Sequence, residues 1–198
     1  MYLPAHFAER DPERLRAFLA SYPFGVLVGA GDPPEIAHVP FVSSPEGGAL
    51  WGHVARANPV WRGFDGRAVT VVFQGPHGYV SPRFYASKQL VPTWNYAAVH
   101  VRGAPRLLER DDEVDALLRR LGEVNEAGSP SPWSPDELDP AAYANLRRAI
   151  VAFEVPLTEL VGKFKLGQNR APADREALTR ALEARGGPDD LAMLRWGR

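Results

Sequence analysis

Short apolar runs joined by tight turns are the feature that most constrains how this chain can fold. The first 75 residues contain four of them, with no helical pattern from one to the next: FGVLVGA, EIAHVPFVS, GALWGHVA and AVTVVFQ. Runs of this length that are rich in β-branched residues and bounded by Gly, Pro, Asp and Ser are typical of strands. A doubly wound parallel sheet requires a helix between most strands. This order of elements therefore excludes that fold class.

Further strands and four helices complete the predicted organisation. Strands are expected at Tyr96–Gly103 with a continuation after Pro105, at AIVAFEV, and around Lys163 in GKFKLGQNR. Apolar spacing and capping residues predict helices at about residues 12–21, 112–126, 140–149 and 173–185. Strands in the middle of the chain with helices at its margins predict a mainly β fold with peripheral helices. We expect a small β-barrel in a single domain spanning residues 1–198.

Composition restricts both chemistry and location. The 198 residues are 45% apolar and 24% charged, as in an ordinary globular protein. Because the chain has no cysteine, disulfides, thiolate catalysis and cysteine-based zinc sites are excluded. The N-terminus lacks a signal-peptide pattern and no apolar run could cross a bilayer, so we expect a cytoplasmic protein with no membrane partner. The formal net charge of −1 lacks the basic excess typical of DNA-binding domains.

Sequence motifs nominate no catalytic residue and no metal ligand. The five histidines lack the short paired spacing that is typical of zinc sites. The chain has no G-x-S-x-G elbow, and its acidic residues concentrate on helix faces, where solvated caps account for them. The segment QGPHGYVSP matches neither a Walker A loop nor a dinucleotide fingerprint. The sequence therefore predicts no catalytic residue and no metal site.

The segment LWGHVARANPVWRGF places cationic and aromatic side chains where a strand is followed by a helix start. Asn58 suits the N-cap and Pro59 suits the first helical position. Helix N-termini attract anions, so Arg56 and Arg62 on either side of this cap predict a seat for a phosphate or carboxylate. The alternative is a capped short helix with Trp61 in the core and both arginines in water.

Two further segments carry polar and aromatic residues at predicted strand ends. VPTWNYAAVHV places Thr93, Trp94 and Asn95 at a strand start, where a flat ring and hydrogen-bonding groups favour a planar ligand. GKFKLGQNR places Lys163 and Lys165 on one side of a strand. The alternatives are a strand entry with Trp94 in the core and an edge strand with solvated lysines. Together the segments predict a pocket for a planar, anionic ligand; FMN fits, and so do other phosphorylated heterocycles.

Six motifs occur in an order that resembles the PaiB family, described as FMN-binding negative transcriptional regulators. They are MYLPAHF, AHVPF, GHVARANPVWR, GPHGYVSPRFY, VPTWNYAAVHVRG and GKFKLGQNR, and they extend from Met1 to about Arg170. The resemblance implies an FMN-binding split β-barrel like that of the pyridoxamine-phosphate-oxidase-like flavoproteins and the flavin reductases. It also implies a homodimer with FMN at the subunit interface.

The resemblance further implies which residues contact FMN. Two positions depart from the family pattern, because Ala37 replaces a threonine and Gly167 replaces the serine of a KLSQN ending. Each departure removes a hydroxyl group from the expected site. The implied phosphate contacts are His53, Arg56 and Asn58. The implied ring, ribityl or phosphate contacts are Ser81, Thr93, Trp94 and Asn95, and the further candidates are His38, Lys163, Lys165, Gln168 and Asn169.

Three functions remain open for such a chain. The family name implies a repressor of transcription, yet no helix-turn-helix or basic stripe is present, and DNA as a partner rests on the resemblance alone. The second function is an oxidoreductase in which FMN carries the chemistry. The third is a binder of a flavin or of another heterocycle such as haem. We expect the FMN-binding regulator first and the flavin enzyme second.

Overall fold

The computed structural model describes residues 1–197. Within them the chain divides into two compact units. Unit 1 contains Met1–Tyr22, Phe73–His100 and the chain from Val161 onward, and unit 2 contains Pro23–Val72 and Val101–Leu160. Two long strands, Val69–Val80 and Thr93–Gly103, pass from one unit into the other.

The described residues form ten strands, five α-helices and four short 3-10 helices. The strands are β1 (Ala8–Glu9), β2 (Phe24–Val28), β3 (Ile36–Pro40), β4 (Val42–Ser43), β5 (Ala49–Ala55), β6 (Val69–Val80), β7 (Thr93–Gly103), β8 (Arg106–Leu108), β9 (Ile150–Pro156) and β10 (Glu159–Lys165). The α-helices are α1 (Pro12–Ser21), α2 (Asp111–Asn125), α3 (Pro140–Arg148), α4 (Pro172–Arg185) and α5 (Pro188–Trp196). The 3-10 helices are Ala5–Phe7, Pro59–Gly63, Pro82–Phe84 and Pro135–Glu137.

Unit 1 contains the strands β1, β10, β7 and β6, which lie side by side in that order. The short β1 pairs antiparallel with β10, where Ala8 lies opposite Lys163. Helix α1 supplies apolar side chains to the core, because Leu15, Phe18 and Leu19 are buried along one face. That face has the spacing expected of an amphipathic helix.

A second core in unit 1 is formed by α4 and α5. Leu178 of α4 and Met193 of α5 are buried in one apolar cluster. Gly186 ends α4 with φ of +66°, a conformation that glycine adopts without strain. The sequence prediction stopped at this glycine pair and missed α5. The helix is held by tertiary packing, since the ring of Trp196 lies 5.3 Å from that of Phe18.

Unit 2 contains β6, β2 and β3 in one sheet and β4, β5, β9 and β8 in another. Antiparallel pairing places Val26 of β2 opposite both His38 and Val72. In the second sheet, His53 of β5 lies opposite Ala152 of β9. The predicted hairpin of FGVLVGA and EIAHVPFVS is therefore confirmed.

The core of unit 2 depends on a glycine in β5. A Cβ atom at Gly52 would lie 3.0 Å from the ring of Phe41 and 3.0 Å from Val39. Without that atom, the ring of Phe41 approaches that of Phe153 to 6.2 Å. Helix α2 covers a separate cluster through its buried Leu117.

The predicted mainly β fold with peripheral helices is confirmed. The four predicted helices begin and end within one residue of α1, α2, α3 and α4. Two strands are longer than predicted: AVTVVFQ continues to Val80, and β7 begins at Thr93 instead of Tyr96. The helix expected after Asn58 is only the five-residue 3-10 helix Pro59–Gly63.

Gly103 at the end of β7 leaves no room for a side chain. A Cβ atom there would lie 2.1 Å from the carbonyl oxygen of Pro156. We expect Gly103→Ala to lower the free energy of unfolding by about 2–3 kcal/mol, because backbone must move to relieve the overlap. Urea-induced unfolding measures the difference. Gly48→Ala is the matched control, since a Cβ at Gly48 has no heavy atom within 4 Å; equal losses in the two variants would contradict the prediction.

Candidate functional site

An exposed aromatic surface lies at the start of β7 in unit 1. Trp94 is 55% exposed, although tryptophan is usually largely buried. Its ring is 6.2 Å from that of His77, at an interplanar angle of 27°, and 6.5 Å from that of Tyr79. We call these three residues the Trp94 surface. The alternative in which Trp94 lies in the core is therefore wrong.

Strand periodicity explains why His77 and Tyr79 accompany Trp94. Side chains two residues apart on a strand lie on the same face, and β6 is the neighbour of β7 in the strand order. Sequence reasoning missed both residues, because it ended the strand AVTVVFQ at Gln74 and found no known motif in QGPHGYVSP. The available signal was the alternation of glycine with His77 and Tyr79.

Lys165 of β10 holds the start of β7. Its ammonium group donates a hydrogen bond of 2.6 Å to the carbonyl oxygen of Trp94 and a second one to the hydroxyl of Thr93. Burial lowers the pKa of Lys165, and the positive charges of Lys163 and Arg170 lower it further. The backbone that carries Trp94 is thus fixed by a cation.

Asn95 occupies the opposite, buried side of β7. The residue is 2% exposed, and its Nδ2 has no hydrogen-bond partner among residues 1–197. A Cβ atom at Gly167 would lie 3.8 Å from this nitrogen and 2.9 Å from Leu178. Because Gly167 also has φ of +94°, glycine is the residue that fits here without strain. The departure from the family pattern at Gly167 therefore has a local structural reason.

Lys163 and Ser81 are engaged by neighbouring backbone. The Lys163 ammonium donates to the carbonyl oxygen of Tyr2 at 2.9 Å and lies 5.4 Å from the ring centroid of Tyr96. Lys163 is only 8% exposed, so the alternative of a solvated edge lysine is wrong at this position. Ser81 caps a 3-10 helix, since its hydroxyl accepts the N–H of Arg83 at 3.2 Å.

Gln168 and Asn169 follow β10 in an exposed turn. The Gln168 side chain accepts the N–H of Leu166 at 2.8 Å and donates to the carbonyl oxygen of Phe164. It therefore closes the turn after β10. Asn169 is exposed beside it.

The predicted helix start in unit 2 is present but short. The side chain of Asn58 accepts the N–H of Val60 at 3.0 Å, which confirms its N-cap position. The helix that follows has five residues and 3-10 geometry, so little macrodipole accumulates at its start. The helix dipole therefore contributes little to the expected anion-binding site. The basic side chains are the remaining groups that could attract an anion.

Arg56 is exposed and contacts backbone carbonyls instead of an acidic side chain. Its Nε donates to the carbonyl oxygen of Arg148, and its Nη2 donates to that of Ile150, each at 2.7 Å. These carbonyls lie at the end of α3 and the start of β9, where a cation complements the negative end of a helix. Nη1 makes no hydrogen bond within the described part of the chain.

His53 and His38 occupy different environments in unit 2. Burial lowers the pKa of His53, which is therefore neutral at pH 7, and its buried Nδ1 has no partner among the described residues. His38 is exposed on β3, with its ring 6.0 Å from that of Phe24. Ala37, the other departure from the family pattern, is buried opposite Leu27.

The predicted site residues thus fall into two groups, one in each unit. The unit 1 group is Ser81, Thr93, Trp94, Asn95, Lys163, Lys165, Gln168 and Asn169, and the unit 2 group is His38, His53, Arg56 and Asn58. Across residues 1–197, no three His, Asp or Glu side chains are arranged to hold a metal ion. No helix in that range is long and apolar enough to span a membrane.

Comparison with known proteins identifies the family. Residues 1–159 match the family model described as "Putative FMN-binding domain". The chain is 34% identical over 197 residues to "Protease synthase and sporulation protein PAI 2" of Bacillus subtilis. That alignment covers 98% of this chain and 94% of the Bacillus protein.

Solved flavoprotein structures share the fold. The flavocytochrome Anf3 from Azotobacter vinelandii aligns with a TM-score of 0.65 at 17% identity, covering 80% of this chain and 69% of that one. The FAD and heme binding protein from Mycobacterium smegmatis aligns with a TM-score of 0.58 at 18% identity, covering 91% and 80%. These similarities confirm the split β-barrel. The chain therefore belongs to the FMN-binding domain family, as its resemblance to PaiB proteins implies, and FMN is its cofactor.

Proposed function

We propose that the chain is a PaiB-type FMN-binding protein in which the Trp94 surface receives the flavin ring. The observation that carries this proposal is the half-exposed Trp94 flanked by His77 and Tyr79. An exposed aromatic face is unfavourable in water, and a planar aromatic ligand that stacks on it removes that cost. Thr93 and Asn95 alternate with Trp94 in β7 and lie on the opposite face of the strand, so we propose that they position Trp94 and do not contact the stacked ring.

In unit 2, considered by itself, Arg56 and His53 are the proposed contacts for a phosphoryl group. Arg56 has no carboxylate partner among the described residues, and its Nη1 remains available for a charge-assisted hydrogen bond. The buried Nδ1 of His53 is a polar atom without a partner, as expected where a ligand supplies the missing group. Within unit 2, Arg56 and His53 therefore fit a phosphoryl group.

Bound FMN supplies hydride or electron transfer, and the chain supplies position and electrostatics. Lys165 fixes the backbone of Thr93 and Trp94, so that a stacked ring meets a rigid surface.

The finer part of this proposal is negative regulation of transcription. The support is the PaiB resemblance together with the Bacillus subtilis relative, which is named for protease synthase and sporulation. The measurement is a titration of the FMN-loaded protein with its own promoter DNA and with a scrambled duplex at two salt concentrations. Tighter, salt-sensitive binding to the promoter is expected. Equal affinity for both duplexes would remove the regulator role.

A second candidate is an FMN-dependent oxidoreductase. The exposure of Trp94 favours it, because a ring stacked on an exposed surface remains accessible to a diffusing reductant. Oxidation of NADH or NADPH that depends on added FMN is the expected result. Inertness toward both reductants would count against the enzyme. A Soret band in place of flavin absorption would indicate haem.

We also propose a homodimer with FMN at the subunit interface. Phe24 and Ile36 on the β2–β3 pair are 62% and 58% exposed, and apolar side chains of this size favour burial against a second copy. Sedimentation of the FMN-loaded protein tests the proposal. A monomer mass at micromolar concentration would overturn it.

Arg56→Ala is expected to weaken FMN binding more than riboflavin binding. Riboflavin lacks the phosphate, and loss of one charge-assisted hydrogen bond costs about 1.5–3 kcal/mol. Titration calorimetry with both ligands measures the difference. The ratio of the two affinities corrects for any loosening of α3, since such a change affects both ligands. Arg67→Ala, which removes an exposed arginine paired with Asp65, is the control. Equal weakening of FMN and riboflavin binding by Arg56→Ala would show that Arg56 does not contact the phosphate.

Trp94→Ala is expected to weaken FMN and riboflavin equally. The substitution removes the stacking face, which contributes about 0.5–1.5 kcal/mol beyond buried area in aromatic pairs. Flavin fluorescence titration measures both affinities. Trp133→Ala is the matched control, because Trp133 is 45% exposed and belongs to unit 2 outside the predicted groups. Unchanged affinities in Trp94→Ala would place the ring elsewhere.

A further inference from the structure

A cavity of about 590 Å³ lies within unit 2. Its wall is formed by the end of α3, the start of α2 and the strands β8 and β9. The volume lies within the range of pockets that hold small organic ligands. Of the residues that line this cavity, only Arg56 belongs to the proposed flavin site. The other lining residues therefore have no role in the proposed function.

The cavity contains three arginines, and two of them contact only neutral groups. Arg56 donates to the backbone carbonyls of Arg148 and Ile150. Arg148 donates to the side-chain oxygen of Asn145. Neither guanidinium forms an ion pair with a carboxylate of the described residues. Neither charge is therefore paired directly, although Glu109 and Asp111 also line the cavity.

Arg147, the third arginine, donates from Nη1 to the backbone carbonyl oxygen of Asp111 at 3.2 Å. The nearest carboxylate oxygen, from Asp111, lies 4.0 Å from its Nη1, and the Asp111 side chain is 93% exposed to water. The Nε of Arg147 is buried and has no hydrogen-bond partner within residues 1–197. A buried donor without a partner is uncommon in folded proteins, and an anion in the cavity would supply the missing acceptor.

Two further lining residues, Glu109 and Asp111, are acidic, and the others are mostly apolar. Leu108 and Ala152 are buried, and Val114, Ile150 and Trp61 also contribute apolar surface to the lining. Such a surface favours a ligand whose charged head is attached to an apolar body. Three guanidinium groups outnumber the two lining carboxylates, so a net positive charge remains. A phosphoryl group offers more acceptor oxygens to several guanidinium groups than a carboxylate does.

We propose that this cavity binds a small phosphomonoester with an apolar body as a second ligand, distinct from FMN. Arg147 and Arg148 are its donors to the phosphoryl oxygens. Arg56 forms the adjoining wall, because its Nε and Nη2 are directed at the end of α3. The site goes beyond the proposed flavin function, which assigns neither Arg147 nor Arg148 to the cofactor.

Phenyl phosphate is the probe, and calorimetric titration of the FMN-saturated protein is the measurement. We expect binding of one phenyl phosphate per chain, tighter than that of inorganic phosphate or benzoate. The double substitution Arg147→Gln and Arg148→Gln should weaken it by about tenfold or more, as expected for lost charge-assisted bonds. Arg102→Gln, which removes an exposed arginine paired with Glu159, should leave it unchanged.

A second variant protects the test against misfolding of α3. Ala144→Glu places a carboxylate in the cavity on a residue well suited to a helix, so it should repel phenyl phosphate while thermal unfolding stays that of the native protein. FMN affinity, measured by flavin fluorescence, should be unchanged in both variants. Absence of binding to the FMN-saturated wild type, displacement of FMN by phenyl phosphate, or equal binding in all variants would overturn the proposal. Phenyl phosphate is also titrated into flavin-free protein. Binding there tests the cavity independently of whether FMN binds.

Discussion

The period-two alternation of β7 is the constraint on which the candidate site depends. Asn95, Ala97, Val99 and Val101 lie on the buried face, and the last three are fully buried. A strand that commits these residues to the core must turn its alternate residues outward. Trp94 is therefore exposed because of its register, although its ring would otherwise favour the interior. The same alternation in β6 brings His77 and Tyr79 to the same surface.

Holding Trp94 at the surface requires support from the neighbouring strand. Lys165 supplies it through the carbonyl oxygen of Trp94 and the hydroxyl of Thr93. On the buried face, Asn95 carries an amide nitrogen without a partner, beside a glycine where the family pattern has serine. Local rules of packing and hydrogen bonding are thus broken at Trp94 and at Asn95. Such departures are expected at a functional site, where they are retained for binding rather than for stability.

Sequence patterns predicted most of the elements, because those signals are local. The caps at Asp11 and Asn58 and the apolar face of α1 are each readable within a few residues. Helix α5 escaped prediction because it is held by a distant contact of Trp196 with Phe18. Local patterns report such tertiary contacts poorly.

The sequence predicted the types of residue at the candidate site better than it predicted the role of each residue. Arg56 was expected to face an anion, yet two of its nitrogens bind carbonyls about 90 residues further along the chain. No sequence-spacing rule can predict a hydrogen-bond acceptor at such a large separation along the chain. Lys163 was placed on the same side of β10 as Lys165, and only tertiary structure shows that it contacts the N-terminal segment. In the sequence, Arg147 and Arg148 are ordinary basic residues at the end of a predicted helix. Only the tertiary structure shows that they line a cavity together with Arg56.

The central claim is that the flavin ring stacks on Trp94. The most direct test is a crystal structure of the FMN-loaded protein. If the ring stacks there, electron density for the three-ring system lies in van der Waals contact with the indole of Trp94. Ring density elsewhere, with the Trp94 indole facing solvent, would contradict it.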